Sequence, residues 1–154
     1  NMDTSGIVGM NGMFENDKVL TNIVFGDNFN TSNATNMTAM FRGCNNLTEL
    51  DLRMFDTSNV KSMYNMFAES GIKNVNLSSF VTHNLDGGGM QRMFLNCTKL
   101  ENLDLSSFDT SNVIYMDAMF GNSKATTGYA RTQNDADKFN NSSGKSSGLT
   151  FTVK

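Results

Sequence analysis

Apolar residues recur along this chain in a fixed order. The dipeptide Met-Phe stands at Met13-Phe14, Met40-Phe41, Met66-Phe67, Met93-Phe94 and Met119-Phe120, in steps of 27, 26, 27 and 26 residues. Another Met precedes each by three positions, at Met10, Met37, Met63, Met90 and Met116. Downstream comes an L-x-x-L-x-L pattern: Leu20-Ile23-Phe25, Leu47-Leu50-Leu52, Ile72-Val75-Leu77 and Leu100-Leu103-Leu105, closed by Phe29, Phe55, Phe80 and Phe108. A polar turn opens the units, as in Asp56-Thr57-Ser58-Asn59 and Asp109-Thr110-Ser111-Asn112, with Val81-Thr82-His83-Asn84 the odd member. Five copies in register identify an internal repeat, and a repeat decides the fold before any single residue does.

Two periods lie inside each unit. The L-x-L stretch alternates apolar and polar residues, the period of a half-buried strand. Val60, Met63, Met66 and Phe67 have helical spacing, with Ser58 or Asn59 ahead as candidate N-caps. Neither piece buries its apolar face alone, so neighbouring units must stack. The spacing predicts an α/β solenoid, a leucine-rich-repeat-like stack of about five coils of 25–28 residues. A parallel sheet would form one face and short helices or 3₁₀ turns the other. Met, Leu and Phe would fill the interior in columns, and the Thr-Ser-Asn column would bond local backbone at the corners.

Residues 1–123 read as the five-repeat part and 124–154 as a C-terminal capping segment of the same domain. In that segment Ala130 to Asn140 predicts a short helix, with Thr132 as N-cap and Asp135 at the third helical position. After a Ser/Gly turn, Leu149 to Lys154 predicts a strand that would cover the open edge of the stack. The chain begins almost at a repeat boundary without an initiating Met, and reads as a fragment of a larger protein.

Composition narrows the partners. Of 154 residues 38% are hydrophobic and 18% charged, while 22 Asn, 15 Ser and 15 Thr fill the gap. A net charge of -3 argues against nucleic acid, whose phosphates need clustered Lys and Arg. No apolar run approaches the roughly 18 residues of a membrane span, so no insertion by this segment is expected.

Candidate chemistry is sparse. Cys44 and Cys97 occupy the same repeat position two coils apart, beyond the roughly 7 Å Cα reach of a disulfide, and read as small, partly buried free thiols. His83, the only His, lacks a nucleophile nearby and reads as a surface residue of an irregular turn. Gly87-Gly88-Gly89 opens no phosphate-cradling motif and reads as an inserted loop. The Met columns fall at inward positions and read as core. No catalytic residue, metal site or cofactor is expected. The remaining candidate is the outward column of the predicted sheet: Asn22 and Val24, Glu49 and Asp51, Asn74 and Asn76, Asn102 and Asp104. It is acidic, rich in amides and regular, the kind of surface on which repeat proteins present ligands. Asp51 and Asp104 stand too far apart for one metal ion to bridge them.

The L-x-x-L-x-L frame resembles leucine-rich repeats. The fuller unit, in Asp56-Thr57-Ser58-Asn59-Val60 through Met66-Phe67 and in Leu103-Asp104-Leu105-Ser106-Ser107-Phe108-Asp109, looks like the BspA-like repeats of bacterial surface proteins. The resemblance covers residues 3–123, and the segment Tyr129 to Lys154 is similar to the closing piece that follows such arrays. It implies an extracellular protein, secreted or held at the bacterial cell surface or cell wall. The expected role is a non-catalytic, adhesin-type binding module for a host extracellular-matrix or cell-surface protein, or a glycan. The alternative is a structural spacer or stalk of a wall-anchored protein. The resemblance supplies no ligand residues. One departure is structural: Phe55, Phe80 and Phe108 stand where ordinary leucine-rich repeats carry Asn or Cys.

Overall fold

A computed structural model describes residues 3–86 and 89–154. Its regular elements are the strands β1 (Glu49–Asp51), β2 (Asn74–Asn76), β3 (Asn102–Leu105), β4 (Thr127–Ala130) and β5 (Thr150–Val153), and the helix α1 (Gln133–Asn140). β1 pairs with β2 in one parallel sheet, and β3, β4 and β5 form a second, also parallel. The expected α/β solenoid, five coils sharing one sheet with helices behind it, is therefore not the architecture of the described residues. Among the described residues only the eight of α1 are α-helical, and the strands belong to two small, separate sheets.

The offset between paired strands varies. Glu49 pairs with Asn74 and Asn102 with Thr127 at 25 positions, and Thr127 pairs with Thr150 at 23. Between β2 and β3, where Asn74 and Asn102 are 28 apart, no ladder forms. A backbone bond just ahead of the strands, Glu101 N–H to the Lys73 carbonyl (3.1 Å), joins them there. Each strand is also cut short by its own sequence. Asp51, Asn76 and Asp104 turn their side chains back to accept from the backbone N–H of Arg53, Ser78 and Ser106, at 3.1, 3.2 and 3.0 Å. Such bonds compete with the ladder and end it. The strand expected from Leu20 to Phe25 does not form, and Val24 stands exposed in an irregular stretch.

The Met-Phe segments are irregular turns, where short helices or 3₁₀ turns were expected. The residue before each Met-Phe has a left-handed backbone: Gly12, Ala39, Asn65, Arg92 and Ala118, with φ of 62°, 55°, 56°, 56° and 52°. Three residues beyond each Met the same holds at Asn16, Gly43, Glu69, Asn96 and Asn122. Alternating handedness turns successive N–H groups in opposite directions. One set closes local turns, as Met66 N–H does to the Met63 carbonyl. The other reaches the next repeat: the N–H groups of Met37, Ala39, Phe41 and Gly43 donate to the carbonyls of Ser62, Tyr64, Met66 and Ala68 at 2.8–3.0 Å. Hydrogen bonding between repeats has replaced hydrogen bonding within a helix.

Neighbouring repeats also stack through side chains. The rings of Phe14, Phe41, Phe67, Phe94 and Phe120 follow one another at centroid distances of 5.4, 5.7, 5.4 and 6.1 Å, nearly parallel. Met37, Met40, Met63, Met66, Met90, Met93 and Met119 are fully buried beside them. A third column is polar. Thr4, Thr31, Thr57 and Thr82 are buried, and each hydroxyl donates to a carbonyl of the next repeat and accepts a nearby N–H there. The carbonyl acceptors are Asn30, Asp56, Val81 and Asp109, at 2.7–3.0 Å.

At the C-terminal end β4 runs through Ala130, where the sequence had suggested the start of the helix. α1 follows from Gln133, with Thr132 as N-cap accepting from the Asp135 N–H. Phe139 of α1 and Phe151 of β5 pack on Phe120 at 5.8 and 4.9 Å, and Asn140 clamps the Phe151 backbone through both its amide atoms.

Candidate functional site

The outward residues of β1 to β5 form two rows. Glu49 lies beside Asn74, and Asn102 beside Thr127 and Thr150. Asp51 lies beside Asn76, and Asp104 beside Tyr129 and Thr152. A groove of about 660 Å³ runs along this face. Of the seven residues expected at a binding face, Asn22, Glu49, Asp51, Asn74, Asn76 and Asp104 line it, and Asn102 does not. Its floor is Ile23, Leu50, Val75 and Leu77, and Ser78, Ser106, Ser107 and Lys154 complete its rim.

The carboxylates of this face are already engaged. Arg53 grips Asp51 through Nε and Nη2, the latter at 2.7 Å. The Arg53 side chain and backbone N–H together hold the Asp51 carboxyl below its usual range. Lys154 Nζ donates to Asp104 Oδ2 at 2.6 Å. Partial burial pushes the Asp104 carboxyl up, but Lys154 and Ser106 outweigh it and the net shift is downward. Glu49 Oε1 accepts from the Asn74 amide at 3.1 Å. Asp51 and Asp104 therefore serve as strand terminators and ion-pair partners as well as surface groups. Arg53 was legible two residues beyond Asp51. Lys154 had no local signal, because fifty positions separate it from Asp104.

The other singled-out residues lie elsewhere. Cys44 and Cys97 are free and fully buried, not partly, and their thiols donate to the Phe14 and Phe67 carbonyls at 3.0 and 3.1 Å. Burial pushes them to about 11 and about 12. His83 is exposed, and its carbonyl accepts from the Asn112 amide. Gly87 and Gly88 of the glycine run lie outside the described residues; Gly89 closes a turn to the Asp86 carbonyl at 2.7 Å. Among the described residues no group of three or more His, Cys, Asp or Glu could hold a metal ion, and no helix is long and apolar enough to cross a membrane.

A repeated sequence should be recognised by a family model more than once. The model described as "Mycoplasma protein of unknown function, DUF285" matches residues 1–88 and again residues 73–151. The chain belongs to the DUF285 family. That family is associated with BspA-like surface proteins, which agrees with the resemblance carried by the Asp-Thr-Ser-Asn and Met-Phe motifs. No curated protein and no solved structure matches this DUF285 chain.

Proposed function

We propose that this DUF285 protein is a non-catalytic binding module of the bacterial cell surface, holding its ligand on the outer face of its two sheets. The supporting observation is the groove itself. Six residues picked out by the repeat pattern line one concavity over a short apolar floor. Ligand sites combine such a floor with a few converging polar groups. The association of the family with BspA-like surface proteins supports the extracellular location and a host matrix protein, cell-surface protein or glycan as partner.

Alanine substitution at Glu49, Asp51, Asn76 and Asp104 tests the face, with thermal unfolding run on each variant to separate binding from stability. Binding to a ligand captured by the native protein should weaken by about tenfold or more for at least two of them, the loss of one or two well-made polar contacts. Binding that survives all four substitutions rules this face out. A spacer role is the outcome if matrix-protein and glycan arrays stay silent for the native chain.

A further inference from the structure

The two ends of the stack of repeats are finished differently. At the C-terminal end Phe139 and Phe151 cover the ring of Phe120, and the Ser143 carbonyl takes the Ala118 N–H. The Asn140 amide occupies both backbone groups of Phe151 on the outer strand. The N-terminal end has no such cover among the described residues. There the N–H groups of Met10, Gly12, Phe14 and Asn16 donate forward to the carbonyls of Asn36, Thr38, Met40 and Arg42 at 2.7–2.9 Å. The equivalent carbonyls of the first repeat, those of Gly9, Asn11, Met13 and Glu15, accept no N–H from the described residues. Beside this row lies a cavity of about 460 Å³ lined by Met13, Phe14, Ile23, Val24, Phe25 and Phe29. Its three aromatic rings are half-buried, whereas Phe41, Phe67 and Phe55 in the following repeats are fully buried.

The first repeat also departs from the others on its outward side. Val24 stands in the column that carries Asp51, Asn76 and Asp104, and Val19 at the position of Asn46 and Lys99; each valine is 86% exposed. Exposed Met54 continues the apolar surface past Val24. Packing of one more repeat on this end would leave both valines wet. Asn46, Asp51, Lys99 and Asp104 are exposed although repeats flank them on both sides. Charge is concentrated here as well. Asp3, Glu15, Asp17 and Asp27 against the single Lys18 give residues 3–29 a formal charge of -3, equal to that of the whole chain. Asp17 takes the place held in the other repeats by Cys44, Ser70, Cys97 and Ser123, all buried. An apolar centre inside a charged rim is the anatomy of a protein interface. A second copy fits poorly, because a two-fold contact would set carbonyl row against carbonyl row and acidic rim against acidic rim.

We infer that the N-terminal end of the stack docks a separate protein. The complementary segment brings an aromatic or large aliphatic anchor for the cavity, basic residues for the rim and backbone N–H groups for the carbonyl row. The cavity shares only Ile23 with the strand-face groove, so this surface and the groove stand or fall separately.

Panning a phage-displayed library of random dodecapeptides on the immobilised native chain, then titrating the selected synthetic peptides by fluorescence anisotropy, tests the inference. The expected consensus joins Phe, Trp, Leu or Met to at least two Lys or Arg. Val24→Asp, which installs at an exposed position the residue found there in two later repeats, should weaken binding about tenfold. Asp27→Lys, also at an exposed position, should do the same, and raised salt should weaken the native complex. Glu49→Ala in the groove should leave it unchanged. Selected peptides that bind both end variants as tightly as the native chain overturn this surface. A Met-x-x-Met-Phe consensus without basic residues gives the end to a further repeat and overturns the separate partner. A dimer in sedimentation velocity that Val24→Asp abolishes gives it to a second copy and does the same. Failure to enrich any sequence over the bare support overturns the docking surface.

Discussion

The Thr110 hydroxyl donates to Asp135 Oδ1 at 2.6 Å, and the Thr110 backbone N–H donates to the same oxygen at 2.9 Å. In the preceding repeats the equivalent threonine bonds the backbone of the next unit. At Thr110 a carboxylate from α1 stands in for that backbone. Asp135 is fully buried, and its other oxygen accepts from Thr132 Oγ1 at 2.5 Å and from Arg131 Nε at 3.1 Å. Arg131 in turn holds Asp109, one residue before Thr110, at 2.9 Å. The last threonine of the column, the helix N-cap and an ion pair thus meet at one carboxylate.

That junction makes stability depend on acid. Burial alone would raise the Asp135 pKa, but bonds from Thr110, Thr132 and Arg131 prevail and bring it down from 3.8 to about 2. A carboxyl depressed in the folded state stabilises above its unfolded pKa, and that contribution disappears as pH falls through the folded value. Roughly 2 kcal/mol should therefore be lost between about pH 4 and pH 2. Urea midpoints measured across this range check the expectation. In Asp135→Asn the acid-dependent part should be smaller, and the variant should be destabilised at neutral pH by on the order of 3 kcal/mol, since the Arg131 and Thr132 donors lose their acceptor.

The repeat, its inward Met and Phe columns and the outward Asn and Asp residues were all legible, because a burial pattern repeated five times survives any error at one site. The local conformation of the Met-Phe segment was not. Met63, Met66 and Phe67 satisfy helical spacing, yet that spacing also fits a turn whose N–H groups point alternately inward and to the neighbouring repeat. The overlooked signal was chemical. Gly12 and Asn65 before the Met, and Asn16, Gly43, Asn96 and Asn122 after it, are residues that tolerate left-handed φ. Continuity of the sheet was misjudged because Asp51, Asn76 and Asp104 read simply as outward ladder residues, whereas their side chains turn back to the backbone two residues on and end the strands.

The left-handed positions give opposite expectations for opposite substitutions. Ala118 holds φ at 52° and its N–H donates to the Ser143 carbonyl at 2.7 Å, so the turn imposes the strain. Ala118→Gly relieves about 1 kcal/mol of steric cost, partly offset by the freer unfolded chain, and should be neutral to slightly stabilising. Gly43→Ala should destabilise by about 1–2 kcal/mol, since φ is 70° and a Cβ there would strike the Asn16 side-chain oxygen. Chemical denaturation of the two variants beside the native protein checks the sign of each effect.

Ring stacking predicts a gradient along the molecule. Phe67 is fully buried between Phe41 and Phe94, whereas Phe14 has a stacked neighbour on one side and is only partly buried. Phe67→Ala should cost about 3–5 kcal/mol, the range for an emptied aromatic site in a core. Phe14→Ala should cost roughly half as much, because part of its surface is already wet. Equal losses in urea unfolding would show that the stacked rings are not what joins the repeats at the centre.

The two thiols should behave as core atoms. Cys97 lies wholly inside, bonded to the Phe67 carbonyl and 3.7 Å from Ser70 Oγ, and burial lifts its pKa to about 12. Cys44 is lifted to about 11 by the same cause. Reactivity follows the thiolate fraction and exposure, and both are minimal here. Ellman's reagent at mildly alkaline pH should therefore find essentially no reactive thiol in the native protein and two after unfolding, and air oxidation should not join them. Fast labelling of either residue without denaturant would mean that its repeat opens readily. Cys44→Ser and Cys97→Ser should each lose about 1–3 kcal/mol, since a buried hydroxyl replaces an apolar sulfur in a site shaped for it. Ser70 and Ser123 occupy the same repeat position in other units, so a serine is tolerated there where its own neighbours supply partners, as the Ser123 hydroxyl accepting the Ala125 N–H shows.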